Sequence, residues 1–246
     1  MTMHEGHRHR LRERFRREGL ENFEPHEVLE LLLFYARVRG DVNPLAHELL
    51  DTFGSLRGVL EAPVEQLTAV RGVGEETATL IASMVPMFRR YELCICEERE
   101  RLRNCGDVKA YCKALLTGLR KERFYVLSVS TQMRLIGQRM VAEGSLAEVA
   151  AYPRLVVETV LNHNAYGVIL CHNHPGGDVR PSEGDVDTTC NLEIVLSRLG
   201  IMLLDHIIVS DGRVYSMQEH KDFTCSLANK QRNLREDDAW DGQWPE

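Results

Sequence analysis

His172 and His174 stand two residues apart in GVILCHNHP, and Asp185 closes the segment RPSEGD a short way downstream. In an extended strand alternate side chains share a face, so positions 172 and 174 can aim two neutral imidazole nitrogens at one point. Pro175-Gly176-Gly177 turns the chain out of that strand. Pro181 to Asp185 has the composition of a helix start, from which Asp185 can return a carboxylate to the same point. Three protein ligands that leave a fourth tetrahedral position to water are the pattern of a catalytic zinc ion rather than a structural one. The chemistry expected of such a site is hydrolysis by an activated water.

Each part has a plainer reading when taken alone. An HxH pair at a strand end can be two polar residues and nothing more, and Ser182-x-x-Asp185 by itself is an N-capping arrangement. Neither explains two histidines on an apolar strand directly before the cap, with a proline and two glycines shaping the loop between, so the joined reading is a metal site. His7-Arg8-His9, with His4 nearby, has the same spacing but lies among Arg8, Arg10 and Arg12. Those cations repel a dication, and the stretch reads as a solvated basic helix. His26, His47, His163, His206 and His220 read as structural or exposed. Cys171, next to His172, belongs on the opposite strand face as a small apolar residue rather than a fourth ligand.

The elements that must position these residues follow from periodicity. HEGHRHRLRERFRREG carries six arginines and three glutamates and reads as a polar helix or arm. EPHEVLELLLFYARV and NPLAHELLDTFGSLRGVLEA have apolar residues at helical spacing, with a glycine where a helix should stop. VEQLTAVRGVGEETATLIASMVPMFRRYELCI predicts two short helices around Gly72-Val73-Gly74 and a longer one running toward Cys96. The charged piece CEERERLRN, residues 96–104, marks a change of character. Beyond it helix and strand alternate: VKAYCKALLTGL, FYVLSVS, RLIGQRMVAEG, YPRLVVETVLNHN, YGVILCHN, the helix Ser182 to Leu199, MLLDHIIVS and RVYSM. The expected organisation is a helical N-terminal domain over 1–100, an α/β domain over 101–225 and a disordered tail over 226–246.

Composition narrows the function classes. The chain has 246 residues, 43% of them hydrophobic, and a formal charge of -7, which gives no global attraction to nucleic-acid phosphates. Its seven cysteines form an odd set without a CxxC pair, and no apolar signal segment follows the polar N-terminus. The expectation is a reduced, cytoplasmic protein, with no apolar run near the ~18 to 20 residues that a membrane helix needs.

HNHPGGDVRPSEGD matches the pattern H-x-H, seven residues, S-x-x-D of the JAB/MPN (JAMM) metalloproteases, and GVILCHNHP, RPSEGD and LLDHIIVSDGRVYSM resemble the RadC family of bacterial JAB-like proteins, historically called DNA repair proteins. The resemblance extends over roughly residues 5 to 225. It implies a JAB/MPN-like α/β/α domain with a mixed sheet, preceded by a small all-α helix-hairpin-helix-like domain with its turn at 67–82. It also implies one catalytic Zn²⁺ held by His172, His174 and Asp185, and a glutamate at the start of an early strand as general base. Glu122 in RKERFYVLSV stands there, with Glu143 in VAEGSL as the other candidate. Ser182 would donate to the oxyanion of a tetrahedral intermediate, a role that can compete with capping. The implied reaction is peptide or isopeptide hydrolysis, on a protein or peptide substrate that the sequence leaves unnamed. The chain departs from the family at Gly176, where a serine is common, at Arg139, where an acidic residue is frequent, and at Tyr152, which replaces the usual histidine before Pro153.

A second function class stays open. Leu67, Val70, Gly72-Val73-Gly74, Ala78 and Ile81 fit a helix-hairpin-helix, whose glycines can expose backbone N–H groups to a DNA phosphate without reading sequence. Glu75 and Glu76 at the helix start repel phosphate, whereas Arg8 to Arg17 and Arg89-Arg90 could form a local positive face. On this reading the protein is a DNA-repair or recombination accessory whose metal site is vestigial or structural. A third class, a non-catalytic interaction module, is disfavoured by the intact His172, His174 and Asp185.

Overall fold

The computed structural model describes residues 3–98, 102–144 and 152–223. Cys225 and the expected tail at 226–246 lie outside the described residues. The backbone contacts divide the chain into two compact units, Met1–Phe88 and Arg89–Glu246.

The first unit is helical: α1 (Met3–Glu18), α2 (Pro25–Ala36), α3 (Asn43–Phe53), α4 (Leu56–Leu60), α5 (Val64–Thr68) and the first part of α6 (Glu75–Glu98). Pro25 opens α2 behind a reciprocal cap between Glu24 and Glu27, and Gly54 ends α3 in the left-handed conformation at φ 77°. Leu29, Leu33, Leu49, Val59, Leu67, Ala78 and Ile81 form one buried core. The basic stretch of α1 is only partly solvated. Arg8 is buried, and its guanidinium donates to the carbonyls of Arg37, Val38 and Gly40, where a cation complements the end of α2. His7 lies 2.8 Å from the buried Glu30.

Between α5 and α6 the chain turns through Gly72 at φ 91°, and the carbonyl of Gly72 accepts from Arg37 Nη1 at 3.4 Å. Glu75 and Glu76 occupy the exposed first turn of α6. The sequence predicts a second short helix after this turn. The structure instead has α6 as one helix of 24 residues that continues through Pro86. Ala78 and Ile81 on its first part belong to the core of the first unit, and Leu93 on its second part to a core of the other. Buried residues on either side of Pro86 accompany a helix that continues through a residue removing one backbone hydrogen bond. The contact boundary at Phe88 and Arg89 consequently falls inside a helix rather than in the charged piece after it.

The second unit is an α/β/α sandwich. A five-stranded mixed sheet has the order β2-β1-β3-β4-β5, with β1 (Arg123–Val129), β2 (Leu135–Glu143), β3 (Gly167–Asn173), β4 (Met202–Ser210) and β5 (Arg213–Ser216). Only β3 and β4 are parallel, joined through α9 (Glu183–Arg198). Val108, Tyr111, Cys112, Leu115 and Leu116 of α7 (Cys105–Leu116) pack on one face with Leu127, Ile169, Cys171 and Ile207. Val156 and Val160 of α8 (Tyr152–Asn162), with Leu192 and Leu196 of α9, pack on the other with Phe124, Val126, Leu170 and Ile208. A short α10 (Met217–His220) follows β5. Among the described residues no helix is long and apolar enough to cross a membrane.

Candidate metal centre

Every residue of β3 is buried, as a central strand covered on both faces must be. Leu170 and His172 alternate with Ile169 and Cys171, which places His172 on the α8/α9 side and Cys171 on the α7 side, away from it. His174 follows the strand, its amide donating to the Val209 carbonyl at 2.9 Å. The Ser210 hydroxyl lies 2.8 Å from the His174 carbonyl and 2.7 Å from that of Gly177, tying the loop down as it leaves the sheet. Gly176 takes φ 66° there, with nothing within 4 Å of where a Cβ would be. Glycine adopts this left-handed backbone without the cost of roughly 1–2 kcal/mol that other residues meet.

Asp185 enters from the first turn of α9. Ser182 caps that helix and holds the carboxylate: its amide and its hydroxyl both donate to Asp185 Oδ2 at 2.7 Å. Oδ1 is buried, lies 3.2 Å from His172 Nε2, and makes no hydrogen bond. His174 Nε2 is 3.4 Å from Oδ2, and the two Nε2 atoms are 2.8 Å apart. One ligand atom from each of His172, His174 and Asp185 lies within 4.8 Å of the others, so this His-His-Asp group can hold a metal ion.

The donor set fits a metal on the structure's own terms. His174 Nδ1 lies 2.7 Å from the Asp178 carbonyl, to which it must donate, so a neutral ring presents the Nε2 lone pair to the centre. An imidazole lone pair 2.8 Å from a second Nε2 and an unbonded buried carboxylate oxygen require a cation, or a proton in its place, between them. The electrostatics agree. Hydrogen bonding to Asp185 raises the pKa of His174 against the opposing effect of burial. Burial would raise Asp185, yet His172, His174 and Ser182 together hold its carboxyl well below the usual carboxylate range.

Glu122 precedes β1 by one residue. Phe124 pairs with His172 across the antiparallel β1–β3 ladder, so alternation carried back to 122 puts Glu122 on the histidine face. Partial burial pushes its pKa up, while His172 and His174 pull it down and Asp185 adds to the rise. Glu143 stands elsewhere: it pairs in register with Arg123, accepts from Arg123 Nε at 2.8 Å and Lys121 Nζ at 3.2 Å, and is held below its ordinary range by those cations. Arg139 reaches toward Glu158 and Thr159 on α8.

Two residues absent from the sequence-level site belong beside it. Asn173, between the two histidines, turns its buried side chain back to the segment that carries Glu122, donating to the Leu119 and Lys121 carbonyls at 3.2 and 3.0 Å and accepting the Arg123 amide at 2.9 Å. His206 on β4 is fully buried, with its Nε2 2.8 Å from His172 Nδ1. The Phe124 ring stacks on His172 at 5.8 Å and meets His206 edge-on at 5.4 Å. Of the other histidines, His26 stacks on His47, His163 bonds Ser128, and His220 stacks on Tyr215.

Residues 102–222 match the RadC-like JAB domain and residues 4–79 match the UPF0758 N-terminal family. The UPF0758 protein of Ruegeria pomeroyi is 38% identical over 203 residues, covering 82% of this chain and 91% of that one. The UPF0758 protein of Rhodobacter capsulatus is 38% identical over 208 residues (85% and 97% of the two chains), and that of Fusobacterium nucleatum 32% over 222 residues (87% and 96%).

Proposed function

The chain belongs to the RadC family, and from that premise we propose that it is a zinc-dependent hydrolase of peptide or isopeptide bonds, with His172, His174 and Asp185 as ligands. The observation that carries this reading is the convergence of two imidazole Nε2 atoms, 2.8 Å apart, on the buried carboxylate of Asp185, whose Oδ1 makes no hydrogen bond, with the strand register setting Glu122 on the same face. A zinc ion there supplies a Lewis acid and lowers the pKa of water from 15.7 toward ~7.

The chain's own residues supply the rest. Glu122 acts as general base and then as general acid: its carboxylate takes the proton of the attacking water and returns it to the leaving amine, a contribution of roughly 10²- to 10⁴-fold. Partial burial, by raising its pKa, suits it to both steps. Ser182 orients Asp185 at rest, with its hydroxyl proton on Oδ2. To serve the oxyanion of an attacked carbonyl that hydroxyl has to rotate away, leaving the Ser182 amide to hold Asp185. Hydrolysis is favoured over DNA binding through the α5–α6 hairpin because Glu75 and Glu76 occupy the helix start that a phosphate would approach.

The test pairs elemental analysis with hydrolysis of a peptide library by wild type, His174→Ala and Glu122→Gln. Wild type is expected to hold zinc and cleave, His174→Ala to lose the metal, and Glu122→Gln to keep the metal while losing roughly 10²- to 10⁴-fold in rate. Full zinc in His174→Ala overturns the ligand assignment. Zinc in wild type without cleavage of any peptide overturns the peptidase reading.

A further inference from the structure

We propose that His206 and Thr189 are positioning residues that fix the tautomer of His172, so that its Nε2 lone pair faces the metal position. The inference deepens the zinc reading above and rests on it for its metal-binding consequence, though the tautomer itself can be observed without metal.

The direction of each hydrogen follows from the fixed end of a buried chain. Thr189 Oγ1 is 2.6 Å from the Asp185 backbone carbonyl, which can only accept, so the single hydroxyl hydrogen points there. The same oxygen is 2.6 Å from His206 Nδ1. With its hydrogen already committed it must accept, and His206 Nδ1 carries a proton. His206 is completely buried and its two nitrogens meet a hydroxyl oxygen and a second imidazole rather than a carboxylate, so the ring is neutral and its Nε2 is a lone pair. That nitrogen is 2.8 Å from His172 Nδ1, which must therefore be the N–H partner. His172 Nε2 is left as a lone pair, 3.2 Å from Asp185 Oδ1.

The circuit starts on the backbone of one ligand and ends on the ring of another. It crosses from α9 to β4 to β3 through side chains that are all buried. A neutral imidazole in water exchanges freely between its two tautomers; this one is pinned in the form that can bind a cation. The Phe124 ring, stacked on His172 and edge-on to His206, holds both planes. Partners of this kind on the far nitrogen of a ligating histidine are typically worth 10- to 100-fold in metal affinity.

The experiment has two readouts. Nitrogen-15 NMR of metal-free wild type at mildly alkaline pH is expected to show His172 protonated at Nδ1 and His206 likewise. Zinc affinity, by competition with a chelator, is expected to fall roughly 10- to 100-fold in His206→Leu. His206→Gln, whose side-chain oxygen can still accept from His172, is expected to recover most of that loss; Thr189→Val is expected to lose affinity while remaining folded. A wild-type His172 protonated at Nε2 overturns the proposal, as does wild-type zinc affinity in both His206→Leu and Thr189→Val. Absence of zinc binding in wild type, with His172 protonated at Nδ1, overturns the zinc reading and leaves the relay standing.

Discussion

The side-chain oxygen of Asn173 accepts the amide of Arg123 at 2.9 Å, and through that bond a residue flanked by His172 and His174 fixes the backbone next to Glu122. Its side-chain nitrogen adds the Leu119 and Lys121 carbonyls, so the segment before β1 is held on both sides of Glu122. Asn173→Ala removes all three bonds from a buried position and is expected to cost about 1–3 kcal/mol. Denaturant unfolding measures the loss, hydrogen exchange at the Arg123 amide localises it, and zinc content should be unchanged. An unaltered midpoint with an unaltered exchange rate would contradict the clamp.

Zinc bound to the folded centre should stabilise the protein by mass action. At a free concentration of about 100 times Kd the gain is ~2.7 kcal/mol, or roughly 5–11 °C in Tm for a chain of this size. Calorimetry with and without chelator reads the shift. Asp185→Asn, which exchanges a carboxylate whose Oδ1 makes no hydrogen bond for a neutral amide, should abolish most of it. A full shift in that variant would mean that the metal binds elsewhere.

Affinity for zinc should weaken toward acid pH. In the metal-free protein the His174 pKa is raised, chiefly by its hydrogen bond to Asp185. The proton that zinc must displace therefore stays on His174 to a higher pH than on a free histidine. Below the raised pKa the logarithm of the affinity should fall by about one per pH unit. The sign reverses for metal-free stability: the His174–Asp185 pairing contributes fully below the unfolded histidine pKa and is lost as pH rises through the folded one. Chelator competition and unfolding across the same pH series should give opposite slopes, and parallel slopes would contradict the assignment.

A methyl group at Gly137 on β2 would meet the His163 ring, with Cε1, Nδ1 and Nε2 at 2.5, 2.6 and 2.8 Å from the Cβ position. His163 also bonds Ser128 on β1 at 2.9 Å, so the ring is not free to step aside. Gly137→Ala is expected to destabilise by about 1–3 kcal/mol. Adding His163→Ala should return part of that loss, because contacting sites are not additive. Strict additivity in the double variant would rule out the steric account.

The clustering of His172, His174 and Asp185 was legible because its parts are close in sequence: alternation alone places His172 and His174 on one face, and a helix start returns Asp185. Strands and helices of the second unit were legible for the same reason. His206 was not. Reading it from sequence would require counting β4 against β3, and a register shift between Val168 and Ile169 defeats that count. Asn173 was hidden differently, since its partners are backbone atoms of a loop some fifty positions earlier. In the first unit, the expected short helix after Gly74 is the first part of α6, which runs unbroken from Glu75 to Glu98.

The Nδ1 of His174 is anchored on a carbonyl and that of His172 on His206, while Asp185 is gripped by Ser182, all before any cation arrives. Such preorganisation shifts the cost of metal capture from the protein to the ion. Little side-chain freedom is left to lose on binding, so the rate of loading should be governed by how fast the incoming ion sheds its water and displaces the proton from His174. On the proposed reading, a centre built this way would favour slow release of its ion over adaptable coordination.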